Sequence, residues 1–185
     1  MATLAEQLIK SLRALGVKYV FGIPGGPSIP YMEAMRNNGI EFILVSNEQS
    51  AAIMADVSAR LTGIPGVCHA TFGPGATNLS TGVAGALLDR SPVIALTTEV
   101  KDKDINRKVQ MNIDHQALYR PITKWTVRLS RDNFKYAIRK AFETAASEVP
   151  GPVHIGLPSN IDDEILSQVQ NVGVNSPFGK DRVRQ

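Results

Sequence analysis

Six short apolar runs recur along this chain, each separated from the next by a longer stretch with room for a helix. They are VKYVFGI (17–23), IEFILVS (40–46), GVCHAT (66–71), PVIALTT (92–98), ITKWTVRL (122–129) and PVHIGL (152–157). Several are apolar almost throughout, as expected of strands covered on both faces. Two of the intervening stretches are amphipathic at helical spacing. Leu4, Leu8, Leu12 and Leu15 form one stripe of 3–16 with Gly16 as a stop, and Phe134, Ile138 and Phe142 repeat along 133–148. Strand-then-helix alternation predicts an α/β fold: a doubly wound, mainly parallel sheet of about six strands with helices on both faces and right-handed crossovers.

The length of 185 residues suits one domain with a proper core. We place that domain at 1–165. After Pro158 the chain carries one short helix-like piece and then a polar tail punctuated by Gly and Pro, so 166–185 reads as a linker or loose C-terminal tail. Net charge is only +3, and the cations are scattered rather than interleaved with aromatics, which argues against nucleic acid as a partner. Lys101, Lys103, Arg107 and Lys108 alternate with Asp102 and Asp104, as in a solvated loop. The single cysteine, Cys68, sits in an apolar run; it excludes a disulfide framework within the chain and reads as a buried, inert thiol. The first helix carries charges and is no signal peptide, and no apolar run approaches the length of a membrane span. The expected location is cytoplasmic, with no membrane partner.

Ligands of doubly wound sheets bind beyond the carboxyl ends of the strands. Four loops of unusual composition are expected after predicted strands: GIPGGP (22–27), SNEQ (46–49), TFGPGATN (71–78) and TTEV (97–100). All four are expected on one rim. Glycines there serve tight turns, and they also let backbone approach a ligand closely. Gly73-x-Gly75 is two thirds of a dinucleotide fingerprint, with Glu99 as a ribose-binding acid, but Asn78 replaces the third glycine. NAD is therefore the second reading. Glu48 also has two readings. Ser46 with Gln49 would make a capping box, leaving Glu48 as an ordinary first-turn acid. Alternatively, the small residues Ala51, Ala52 and Ala55 leave room beside its carboxyl group for something to enter.

FGIPGG, the long run from Ser46 to Thr97 and PGPVHIGLPSNI together resemble the N-terminal, pyrimidine-binding domain of thiamine-diphosphate-dependent enzymes, in the acetolactate synthase-like branch. The resemblance covers residues 3 to about 165, with the motifs in order and at the right spacing. It implies that Glu48 hydrogen-bonds N1′ of the cofactor aminopyrimidine. That bond favours the imino tautomer, whose nitrogen removes the proton from thiazolium C2, and the carbon then attacks the carbonyl of a 2-oxo acid. Pro24, Gly25 and Gly26 match the turn that lies against the pyrimidine. Thr71, Gly75 and Asn78 match the T-x-GPGATN loop near the same ring, and His115-Gln116 matches a pair facing the substrate.

Two departures refine the expectation. Gly26 stands where simple 2-oxo acid decarboxylases carry an acidic or hydroxyl side chain, and their His-His pair is only half present, so carboligation fits better than simple decarboxylation. TTE at 97–99 differs from the Thr-Gly-Gln of the acetolactate branch. The Gly-Asp-Gly motif that holds Mg²⁺ and the diphosphate in the family's second domain does not occur in these residues. The resemblance thus implies a diphosphate-binding domain or subunit as partner, with this chain either a fragment of a longer enzyme or one subunit of a split 2-oxo acid decarboxylase. It also implies a homodimer or higher oligomer through helices at 47–62 and 76–90. A non-catalytic scaffold is the third reading, and the retained Glu48 argues against it.

Overall fold

A computed structural model describes residues 3–160; the helix-like piece and tail expected near the C-terminus, with the boundary at 165, lie outside the described residues. Six helices and six strands alternate among them: α1 (Leu4–Ala14), β1 (Tyr19–Ile23), α2 (Ile29–Asn37), β2 (Glu41–Leu44), α3 (Glu48–Thr62), β3 (Gly66–Ala70), α4 (Pro74–Leu88), β4 (Val93–Glu99), α5 (His115–Tyr119), β5 (Trp125–Arg128), α6 (Phe134–Ala145) and β6 (Val153–Pro158). Every strand pairing is parallel, in the order β2-β1-β3-β4-β6-β5. The doubly wound α/β expectation holds, and the sheet is parallel throughout.

Local sequence explains the element ends. Thr3 and Glu6 form a reciprocal capping box that starts α1, and Gly16 follows its end at φ +93°, a conformation that costs glycine little. The spacing of apolar residues did not flag α2 or α5. Pro30 near the start of α2 is the local signal that could have done so, since its fixed φ suits the first helical turn.

The two faces of the sheet differ in side-chain size. On one face, leucines and isoleucines of α1, Tyr31 and Met35 of α2, and Phe134, Ile138 and Phe142 of α6 pack on Val67, Ile94, Leu96, Ile155 and Leu157. On the other, α3 and α4 present mainly alanines to Cys68, Ala70, Val93 and Ala95, with Tyr119 of α5 alongside. Period-two alternation in β3, β4 and β6 sends successive residues to opposite faces. Small residues let backbones close in. A Cβ on Gly66 would run into the Ala55 carbonyl oxygen, and one on Gly82 would sit 2.6 Å from Ala52 Cβ and 2.7 Å from the Gln49 carbonyl oxygen.

Gly82→Ala should therefore push α3 off α4, even though alanine is the better helix former. The expected loss is about 1–3 kcal/mol, the usual range for overpacking, read as a lower urea midpoint. A midpoint equal to or above wild type would show that the helices can part freely.

Candidate functional site

The strand order reverses between β1 and β3, the position at which open α/β sheets bind ligands. The loops leaving these two strands press together there. A Cβ on Gly25 would lie 2.5 Å from Thr71 Oγ1, so only glycine lets the loop after β1 approach the loop after β3. The Gly25 N–H donates to Ser28 Oγ at 3.0 Å, and that hydroxyl lies 2.7 Å from His69 Nε2 on β3. This buried pair ties the Pro24–Gly26 loop down. It was not singled out by sequence, where Ser28 and His69 look like isolated polar residues.

Glu48 opens α3 at the same rim and is 8% exposed. Its Oε2 accepts from Asn78 Nδ2 at 3.1 Å, while Oε1 has no hydrogen bond among the described residues. The space beside Oε1 is held open by Gly75, where a Cβ would stand 3.3 Å from that oxygen and 3.2 Å from Thr71 Cγ2. Thr98 Oγ1 donates to Thr71 Oγ1 at 3.4 Å. Gly25, Glu48, Thr71, Gly75 and Asn78 thus form one contiguous cluster, with Pro24 and Gly26 flanking Gly25. A Cβ at Gly26 would meet nothing within 4 Å, so chain packing does not require glycine there.

Two local expectations are corrected. The cap of α3 is Asn47, not Ser46: its extended backbone lets Oδ1 accept from Gln49 N at 2.8 Å, and the capping-box arrangement of Ser46 with Gln49 does not form. TTEV is not a loop either, because Thr97, Thr98 and Glu99 belong to β4 and pair with Gly156, Leu157 and Pro158 of β6. Glu99 is buried, accepts from Gln116 Nε2 at 2.7 Å and forms an ion pair with Arg128. It is not free to take a ribose, which removes the residue on which the dinucleotide reading leaned.

His115 and Gln116 start α5, whose N-cap Asp114 accepts from Ala117 N at 2.8 Å. They reach the rim through β4: Gln116 on Glu99, and His115 Nδ1 at 2.7 Å from Thr97 Oγ1. An open cleft of about 570 Å³ lies beside them, lined by Glu99, Asn106, Arg107, Lys108, Asn112 and Gln116 among others. Behind His115 stand His154, Thr126 and Tyr119, none of which spacing had marked. Glu99, His115 and His154 bring potential metal-binding atoms within 4.8 Å of one another. Both oxygens of Glu99 and both nitrogens of His154 are already hydrogen-bonded, however, so the cluster is a hydrogen-bonded network rather than an ion site.

Burial sets the charge states here. Desolvation holds His69 and His115 down at about 4, with Arg128 adding to the effect on His115, and pushes His154 well below the ordinary imidazole range. Burial raises the Glu99 carboxyl despite its bonds to Gln116 and Arg128, whereas the hydrogen bond from Arg128 lowers that of Asp102. Cys68 is fully buried and its thiol is pushed upward, which makes it inert as expected.

A doubly wound parallel sheet with a glycine-lined acid at its switch point defines an α/β domain of the kind that takes ligands beyond its strand ends. Residues 2–118 match the family described as thiamine pyrophosphate enzyme, N-terminal TPP binding domain, and the chain belongs to that family. It is 46% identical over 160 residues to the probable acetolactate synthase large subunit of Methanocaldococcus jannaschii, covering 86% of this chain and 27% of that protein. Acetolactate synthase isozyme 2 large subunit of Escherichia coli is 42% identical over 158 residues, covering 85% of this chain and 29% of its own length. Acetolactate synthase of Bacillus subtilis is 36% identical over 174 residues, covering 94% and 30% respectively. The chain spans less than a third of the length of each of these relatives. Among the described residues no helix is long and apolar enough to cross a membrane.

The histidines generate a pH prediction. Folded His69 and His115 titrate at about 4, below the 6.5 of an ordinary imidazole, so between these values the unfolded chain binds protons that the folded chain does not. Stability should be fully present above pH 6.5 and decline as pH falls towards 4. Glu99, raised in the folded state, opposes part of that decline. Melting temperatures measured across this window are expected to fall steadily with pH. A flat profile would mean that the histidines carry charge in the folded protein.

Proposed function

We propose that this chain is the pyrimidine-binding part of a thiamine-diphosphate-dependent enzyme acting on 2-oxo acids, most similar in activity to the acetolactate synthases that its relatives are named for. The observation that carries the reading is the Glu48 carboxyl group. One oxygen is held by Asn78, and the other has no hydrogen bond among the described residues and lies against Gly75, where a Cβ would stand only 3.3 Å from it. A flat aminopyrimidine fits such a slot, with Glu48 Oε1 against a ring nitrogen. When bound, the cofactor supplies a nucleophilic carbon that adds to the substrate carbonyl.

The residues of this chain do the rest. Glu48, 8% exposed and held by Asn78, would hold and exchange a proton with the pyrimidine ring. Pro24, Gly25 and Gly26 would help hold the ring. His115 and Gln116 face the substrate, with Gln116 oriented by Glu99. Mg²⁺ and the diphosphate would be held by a second domain or a partner subunit. Carboligation is favoured over simple decarboxylation, in line with the names of the relatives and with Gly26 lacking a side chain.

Assembly through a second copy of the chain is part of the proposal. Ile53, Val57 and Leu61 form an exposed apolar stripe at four-residue spacing on α3, with Leu61 81% exposed, and Leu88 at the end of α4 is 84% exposed. Such a face suits helix–helix contact better than solvent. Light scattering across a wide concentration range is expected to give a dimer or larger species, and a strict monomer would count against this part.

Glu48→Gln in the complete enzyme or reconstituted pair separates the two readings of that acid. If the carboxyl group activates the cofactor, C2 hydrogen–deuterium exchange should slow by about 10²–10⁴-fold, while cofactor affinity changes far less. If Glu48 is only a first-turn acid, the change costs about 0.3–1 kcal/mol of stability and leaves exchange untouched. Exchange at the wild-type rate would sink the catalytic assignment.

A further inference from the structure

Beyond the Glu48 cluster, four polar side chains form an unbroken line across the sheet. Thr97 Oγ1 on β4 lies 2.7 Å from His115 Nδ1 and 2.8 Å from His154 Nε2 on β6. On the far side of the same ring, His154 Nδ1 lies 2.7 Å from Thr126 Oγ1 on the edge strand β5. Thr97, His115 and His154 are all buried, and Thr126 is half-buried. The His154 ring is stacked on Tyr119 with centroids 4.0 Å apart and planes within 6°. Tyr119 is anchored in turn by its hydroxyl on the Ala76 carbonyl oxygen at 2.7 Å. The line is therefore rigid.

Proton counting restricts what this line can do. A threonine hydroxyl has one hydrogen, and a neutral imidazole has one N–H. Thr97 sits between two ring nitrogens and can donate to only one, so the other ring must donate to it. With both rings neutral, two arrangements satisfy every contact. In one, Thr126 donates to His154, His154 Nε2–H donates to Thr97, Thr97 donates to His115 Nδ1, and His115 carries its proton on Nε2. In the other, every bond is reversed and His115 Nε2 is a bare acceptor. The two histidines must share the same tautomer. Nε2 of His115 has no hydrogen-bond partner among the described residues, so the line ends there, next to Gln116 in sequence.

We infer that Thr126, His154 and Thr97 are positioning residues forming a proton relay, through which His115 gives or takes a proton at Nε2 and stays uncharged. The inference deepens the proposed function and rests on it for the acceptor: a carbonyl or alkoxide oxygen of a ligand beside Gln116. The transfer balances. The His115 Nε2–H bond breaks as the ligand oxygen gains the proton, and His115 Nδ1 takes the Thr97 hydroxyl proton. Thr97 oxygen takes the His154 Nε2 proton, and His154 Nδ1 takes the Thr126 proton. Thr126 is refilled from water at the sheet edge, and the hydroxide formed passes to solvent. Burial and Arg128 disfavour a charged His115, so a route that avoids imidazolium is the one that its surroundings permit.

The test needs neither cofactor nor substrate, so it can fail or succeed independently of the Glu48 experiment. Ring nitrogens of the ¹⁵N-histidine-labelled full chain at pH 7 are expected to report one shared neutral tautomer for His115 and His154. Thr97→Val should release the coupling, and Thr97→Ser should restore it. Thr126→Val removes the outer hydrogen bond of the path and should slow solvent exchange of the ring proton of the fully buried His154 by about tenfold. Opposite tautomers in the wild type, a charged ring at pH 7, coupling that survives Thr97→Val, or exchange unaffected by Thr126→Val would each overturn the relay.

Discussion

Everything at the candidate site depends on how closely α3 approaches α4. Where Gly82 faces Ala52 and the Gln49 carbonyl, no side chain larger than hydrogen fits, so the two helices pack nearly backbone to backbone. That closeness brings the first turn of α3 against the first turn of α4, and Glu48 thereby meets Asn78 and Gly75 across 30 residues of sequence. Gly66 continues the same logic beneath, admitting the Ala55 carbonyl to β3. An acid at a helix start is ordinary, but one held at 8% exposure against Gly75 requires the packing behind it to hold.

The asymmetry of the sheet divides labour between its faces. Large aliphatic and aromatic side chains of α1, α2 and α6 supply most of the apolar burial on one side. On the other side, alanines bring backbones close, and past β4 the apolar positions give way to Thr97, His154 and Thr126. Buried polar groups are costly when unpaired and rigidifying when satisfied. Here they are satisfied by one another, and they lie on the face that carries Glu48 and His115.

Some of the site was legible from local pattern and some was not. The glycine-rich turns after β1 and β3 could be read because turn chemistry is written in adjacent residues, and Glu48, Thr71, Gly75 and Asn78 could be read through family resemblance. Asn47 was missed as the cap because Ser46 is an equally good capping residue, and only the backbone angles choose between neighbours. Glu99 was misplaced in a loop because its acidic character hides a partner, Arg128, that lies 29 residues away in sequence. His154, Thr126 and Ser28 carried no signal, since each is an unremarkable polar residue until its contacts are known.

The sequence by itself determined the alternation of strands and helices, the two-sided burial of the sheet and the rim that carries the candidate site, because these follow from hydrophobic period and from the parallel order that it enforces. Tertiary structure alone decided which polar residues meet. Strand order β2-β1-β3-β4-β6-β5 sets β6 between β4 and β5, and so places His154 between Thr97 and Thr126. Contacts of that kind join residues far apart in the chain and depend on ångström-scale distances, to which a one-dimensional pattern of apolar and polar residues is blind.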